Sequence, residues 1–203
     1  MKEPVPELSF IPADKLIKNY SPEIRELKRK SFNEMRRLWS RHDFESLIDI
    51  GSLAIEELPQ IPEGNGDKEI SGIYMLLGSA IWAKDKDKEK TLLLAKKAVQ
   101  FDRHCKGAMW LLRECMGKFS ENSIYYRILV KGKLYVKAGD EYNVHTFHSA
   151  YGVVAQSPDE AMEFIRDFER EEICNNLELT SVEDIDAKPE LPMGVYAVSE
   201  LIT

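Results

Sequence analysis

The chain has 203 residues, 43% hydrophobic and 31% charged, with a formal net charge of −7, a balance that fits a globular protein able to bury one large core or two small ones. No apolar run approaches the roughly 20 residues that would span a bilayer. The N-terminus, MKEPVPELSFIPADK, carries acids and prolines where a secretory signal needs an apolar stretch, so a cytoplasmic protein is expected.

Cys105, Cys115 and Cys174 are odd in number and widely spaced. They suggest neither a disulfide framework nor a CxxC metal pair, and Cys115 reads as a small buried hydrophobe. Charge is unevenly spread. Residues 121–203 hold 7 Lys and Arg against 16 Asp and Glu, whereas residues 1–120 hold 21 against 19. This break coincides with a change of hydrophobic period, so three segments are expected: an extended arm over 1–20, a helical domain over 21–118 and an acidic α+β domain over 121–203. The acidic half disfavours nucleic acid as a partner and favours a basic protein.

In chain order, Ser21-Pro22 has the form of an N-cap followed by proline in the first turn. Ile24, Leu27, Ser31, Met35 and Leu38 then make one stripe, with a basic face of Arg25, Lys28, Arg29, Lys30, Arg36, Arg37 and Arg41 opposite. Asp43 caps a second helix with Phe44, Leu47, Ile48, Gly51, Ala54, Ile55 and Leu58 at helical spacing, ended by Pro59 and Pro62. Pro62–Asp67 (PEGNGD) is a turn-rich loop. Residues 71–118 carry three apolar blocks at helical spacing, with Gly78, Ala95 and Ala98 where helices must approach closely.

These blocks carry a resemblance. Residues 28–61 and 71–105 resemble two degenerate tetratricopeptide repeats, the second through Tyr74, Leu77, Gly78, Ile81, Ala95, Ala98 and the exit AVQFD, with residues 106–118 as a capping helix. Arg103 stands where the family closes on proline, and Glu34-Met35 replaces the Leu-Gly pair of the first repeat. The resemblance implies paired antiparallel helices and peptide or protein binding on a concave face.

After Lys118 the pattern turns to strands. Tyr125–Val130 and Leu134–Val136 are bounded by Gly132 and by Ala138-Gly139-Asp140, and Tyr142–Ala155 is a further strand-like run. Ser157, Pro158 and Glu160 mark a capped helix. Its stripe of Ala161, Phe164, Ile165 and Phe168 is expected to be buried, leaving Asp159, Glu160, Glu163, Asp167, Glu169, Glu171 and Glu172 on an acidic solvent side. Leu177–Val182 alternates like a half-buried strand, and Gly194–Val198 reads as the last. The fold class is α+β: helical hairpins, then a ββαββ antiparallel sheet.

Chemistry is sparse. His145 and His148, three apart on a strand, point to opposite faces and cannot share a metal. His104-Cys105 has no partner to make a thiolate nucleophile. There is no calcium loop, phosphate loop or GxSxG elbow, so neither an enzyme nor a cofactor is expected. Trp39, Trp82 and Trp110 read as core or interface anchors.

The expectation is a protein-binding protein. The strand into SPDEAMEFI and the ending GVYAVSE resemble bacterial toxin-immunity domains, which implies a cytoplasmic inhibitor that neutralises a basic toxin or effector. Its candidate contacts are Asp159, Glu160, Glu163, Asp167, Glu171, Tyr135 and Tyr142. The alternative is a repeat-type adaptor or chaperone that uses Arg25, Arg29, Arg36 and Arg37 on the helical half.

Overall fold

A computed structural model of the chain describes residues 20–60, 66–138, 141–169, 173, 176–188 and 190–202, with backbone alone over 134–138 and 141–142. The arm expected over 1–20, Tyr20 apart, and most of the 62–67 loop lie outside the described residues.

Five helices come first: α1 (Pro22–Ser40), α2 (Phe44–Glu57), α3 (Lys68–Lys84), α4 (Lys88–Phe101) and α5 (Lys106–Met116). Local chemistry starts four of them, α1 and α2 as the sequence suggests and α3 and α4 through caps that the sequence reading did not name. The side chains of Ser21, Asp43, Asp67 and Asp87 each accept a hydrogen bond from a backbone N–H three residues on, satisfying a donor that the helix cannot use. Consecutive helices pack on each other, and α3 also touches α1 and α5. Residues 70–81 of α3 are buried all round apart from the half-exposed Met75, so α3 is the axis of this half. Gly78 permits the approach: a Cβ there would lie 3.1 Å from Leu111 Cδ2 and 3.3 Å from Leu94 Cβ.

The remaining elements are β1 (Ile124–Ala138), β2 (Glu141–Ala155), α6 (Pro158–Phe168), β3 (Glu178–Ala187) and β4 (Gly194–Val198). They form an antiparallel sheet in the order β3-β1-β2-β4, with α6 laid across β2, β4 and β1. Tyr126, Ile128 and Val130 of β1 and Phe147, Tyr151 and Val153 of β2 point into the core, as a period of two demands. β1 and β2 pair along their full length, but β3 reaches only to Lys131, so the far part of the hairpin runs on as a two-stranded ribbon.

Two expectations about the strands need correction. Gly132 does not end a strand. β1 passes straight through it, because the ring of the buried Phe147 lies across the glycine, where a Cβ would be 2.4 Å from Cζ. The glycine serves close approach, not a turn. Nor is β3 half-buried: all ten of its residues are exposed, and it extends to Ala187. Leu179 and Val182 lie directly opposite Val130 and Ile128 and therefore face the helix side. They are nevertheless exposed, on an edge strand.

The helical and sheet halves share one continuous cluster of buried apolar residues. Two arginines cross between them. Arg103, in the α4–α5 link, is 2% exposed, and its Nη2 donates to Glu169 Oε1 at 2.5 Å, to Tyr151 Oη at 2.7 Å and to Ser149 Oγ at 3.3 Å. Arg113 of α5 donates to the backbone carbonyl of Val195 and stacks over Tyr196, 3.7 Å from guanidinium carbon to ring centre. Burial lowers its pKa, and the Tyr196 hydroxyl group opposes that shift.

Candidate protein-binding surface

α6 is the best-defined element of the acidic half. Ser157 Oγ accepts from the Glu160 N–H at 3.2 Å, and Glu160 Oε2 accepts from the Gln156 N–H at 2.8 Å, a capping box whose return bond reaches the residue before the cap. Ala161, Met162, Phe164, Ile165 and Phe168 are buried. That fixes the azimuth of the helix and leaves Asp159, Glu163 and Asp167 exposed, four residues apart on one ridge that spans roughly 12 Å of helix axis. Among the described residues none of the three forms an ion pair.

Two members of the expected acidic face do other work. Glu160 is half-buried and engaged in the cap. Glu169 does not face solvent at all, since its side chain is 3% exposed and is held by Arg103 and the Tyr151 hydroxyl. Glu171 lies outside the described residues. Tyr135 and Tyr142 are placed by their backbone alone, on the ribbon opposite Val144 and Lys137.

The ridge ends at an apolar pocket of about 140 Å³, where α4, α5, α6 and β4 meet. Leu92, Leu112, Met116, Phe164, Phe168 and Val195 line it, with Lys96 and Asp167 among the polar groups. Lys118 Nζ lies 5.4 Å from the centre of the Phe164 ring. An enclosed apolar cavity of about 150 Å³ holds a benzene-sized molecule, whereas cofactor sites run to roughly 300 Å³ and more. The pocket therefore has room for one large side chain. Sequence reasoning missed it, because its walls come from four separate elements and each residue reads as ordinary core.

The arginines of the alternative surface are differently placed. Arg29 donates to Glu26 at 2.6 Å, and Arg37 to Glu34, in each case the glutamate one turn earlier. The hydrogen bond from Arg37 holds the Glu34 carboxyl below its usual pKa. The Arg36 guanidinium stands over the Phe32 ring at 5.7 Å, and Arg25 lines an open hollow with Glu26 and Glu69. Lys28, expected on this solvent face, is instead buried, with Nζ 2.8 Å from the Asp67 carboxylate that caps α3. Basic charge on α1 is thus partly spent within the chain.

Trp39 and Trp110 are 38% and 49% exposed and are not core residues. Cys115 is buried, and burial pushes its thiol up to about 11. His145 and His148 occupy alternate sides of β2, both exposed. No group of three or more potential metal ligands occurs among the described residues, and no helix among them is long and apolar enough to cross a membrane. Compared with known proteins, the chain matches no family model, no curated protein and no solved structure.

Proposed function

We propose that this chain is a non-catalytic protein-binding protein that captures and inhibits a basic partner, in the manner of an immunity protein against a toxin or effector. The observation that carries the reading is the ridge of Asp159, Glu163 and Asp167, without an ion pair among the described residues, leading into the apolar pocket. A buried anchor beside uncompensated charge is the usual anatomy of a high-affinity contact: the pocket supplies binding energy, and the charges supply fast, salt-sensitive association. The acidic bias of residues 121–203 extends the same field.

The adaptor reading finds support in the packing of α1, α2, α3, α4 and α5, where α3 touches both other odd-numbered helices as in stacked helical hairpins. It ranks second, because over residues 70–81 the axial helix α3 keeps only Met75 partly open and Arg29 and Arg37 are already engaged.

Affinity capture from the native lysate, eluted by a salt gradient, separates the two readings. Under the first, one basic protein is retained. The triple variant Asp159→Lys, Glu163→Lys, Asp167→Lys then weakens its capture at least tenfold and removes the salt dependence. Capture that resists this variant but is lost on reversing Arg25 and Arg36 would replace the first reading with the second.

A further inference from the structure

The two edges of the sheet are treated differently. β4 is five residues long, with Gly194 and Val195 buried, and its Val195 carbonyl is already taken by Arg113. β3 is ten residues long, exposed throughout, and among the described residues pairs only with β1. It also carries Leu179, Val182 and Ile185 at 45%, 39% and 44% exposure. A long edge with large apolar side chains is what protective design avoids, and it is what strand addition uses.

Charge decides which strand can add. Glu178, Glu183, Asp184 and Asp186 lie on β3. Arg127 pairs with Glu183 and Lys188 with Asp186, while Glu178 and Asp184 have no ion pair among the described residues. Antiparallel pairing of two copies of β3 would gather eight carboxylates, four from each strand, along one seam, which repels. In the register with β1, Glu178, Glu183 and Asp186 share the face away from the helices, Asp184 lies with Leu179 and Val182 on the helix face, and Ile185 sits at a bulge. A strand with lysine or arginine on the outer face and β-branched residues towards the helices would meet those three acids and the apolar side chains together.

We infer that the β3 edge is a docking site at which an extended, basic segment of the partner protein adds as a fifth strand. This rests on the reading of the chain as a binder of a basic protein, and it names the mode of engagement.

The test is hydrogen–deuterium exchange of the full chain with a synthetic decapeptide of alternating lysine and valine. A control peptide has the same sequence with alternate backbone amides N-methylated. The expected result is at least tenfold slower exchange across 178–187 with the first peptide and none with the second. That protection should be lost in a Val182→Lys, Ile185→Lys variant whose α3 and α6 exchange is unchanged. Equal protection by both peptides, or none by either, overturns the inference. So does sedimentation showing that the free chain is a dimer dissolved by the same variant, since the occupant would then be a second copy. Failure of the underlying reading looks different, as capture indifferent to salt and to the α6 charges whatever β3 does.

Discussion

Replacing Arg103 by methionine is the sharpest test of how the two halves are joined. The substitution keeps the length of the apolar stem and deletes the guanidinium that meets Glu169, Tyr151 and Ser149. Among the described residues Glu169 would be left with the Tyr151 hydroxyl alone, at 2.7 Å, in a site where its side chain is 3% exposed. Stranding one partner of a buried ion pair costs about 3–5 kcal/mol. With a urea slope of roughly 3 kcal/mol per molar for a chain this size, the unfolding midpoint should fall by about 1–1.7 M. The triple variant Arg103→Met, Glu169→Leu, Tyr151→Phe should recover most of that loss, because an apolar replacement of a whole buried polar cluster is often neutral or better. Recovery is favoured here because Nε and Nη1 of Arg103 have no partner among the described residues even in the intact cluster. If Arg103→Met alone stayed within about 1 kcal/mol of wild type, the carboxylate would have to be reached by water, and apolar packing would be what closes the joint.

Three further outcomes are expected. Gly132→Ala should cost about 1–3 kcal/mol, since its Cβ meets a buried ring that cannot swing away. Phe147→Leu in that background should restore part of the loss, and equal urea midpoints with and without it would refute the contact. Gly152→Ala should be cheaper, because the obstruction there is the hydroxyl end of the half-buried Tyr125. The Cys115 thiol, raised by burial from 9.0 to about 11, keeps its proton when folded and loses it earlier when unfolded. Its contribution is complete below pH 9 and is lost as pH rises towards 11. The gap in urea midpoint between wild type and Cys115→Ala should therefore narrow over that range, and parallel curves would show that the thiol does not titrate differently on unfolding.

Helix starts were legible because their signals are local. Ser21-Pro22, Asp43 and the Ser157–Glu160 box need only three or four neighbouring residues, and each appears as read. The tight packing at Gly78 was legible too, since a small residue on an apolar helix face has few other uses. Hydrophobic pattern misplaced the groups whose role is set by distant partners. Glu169 falls just past an amphipathic helix and looks solvated, and only the position of Arg103, 66 residues earlier, makes it internal. Lys28 likewise belongs by sequence to a basic face and by structure to Asp67. The exposure of β3 followed from which strand became the edge, and alternation carries no information about that order. The pocket beside Asp167 was invisible for the same reason.

The two crossing arginines also set an order of events during synthesis. Arg103 and Arg113 leave the ribosome with the helices, but their acceptors Glu169 and Val195 follow 66 and 82 residues later. Until then each guanidinium stays hydrated at a surface that is apolar around it, so the helical half cannot finish closing while the sheet is unmade. Ribosome-stalled chains ending at residue 120 should thus be cleaved readily by protease. Resistance should arrive in one step once Val198 has cleared the exit tunnel, so this chain commits late, and as a whole.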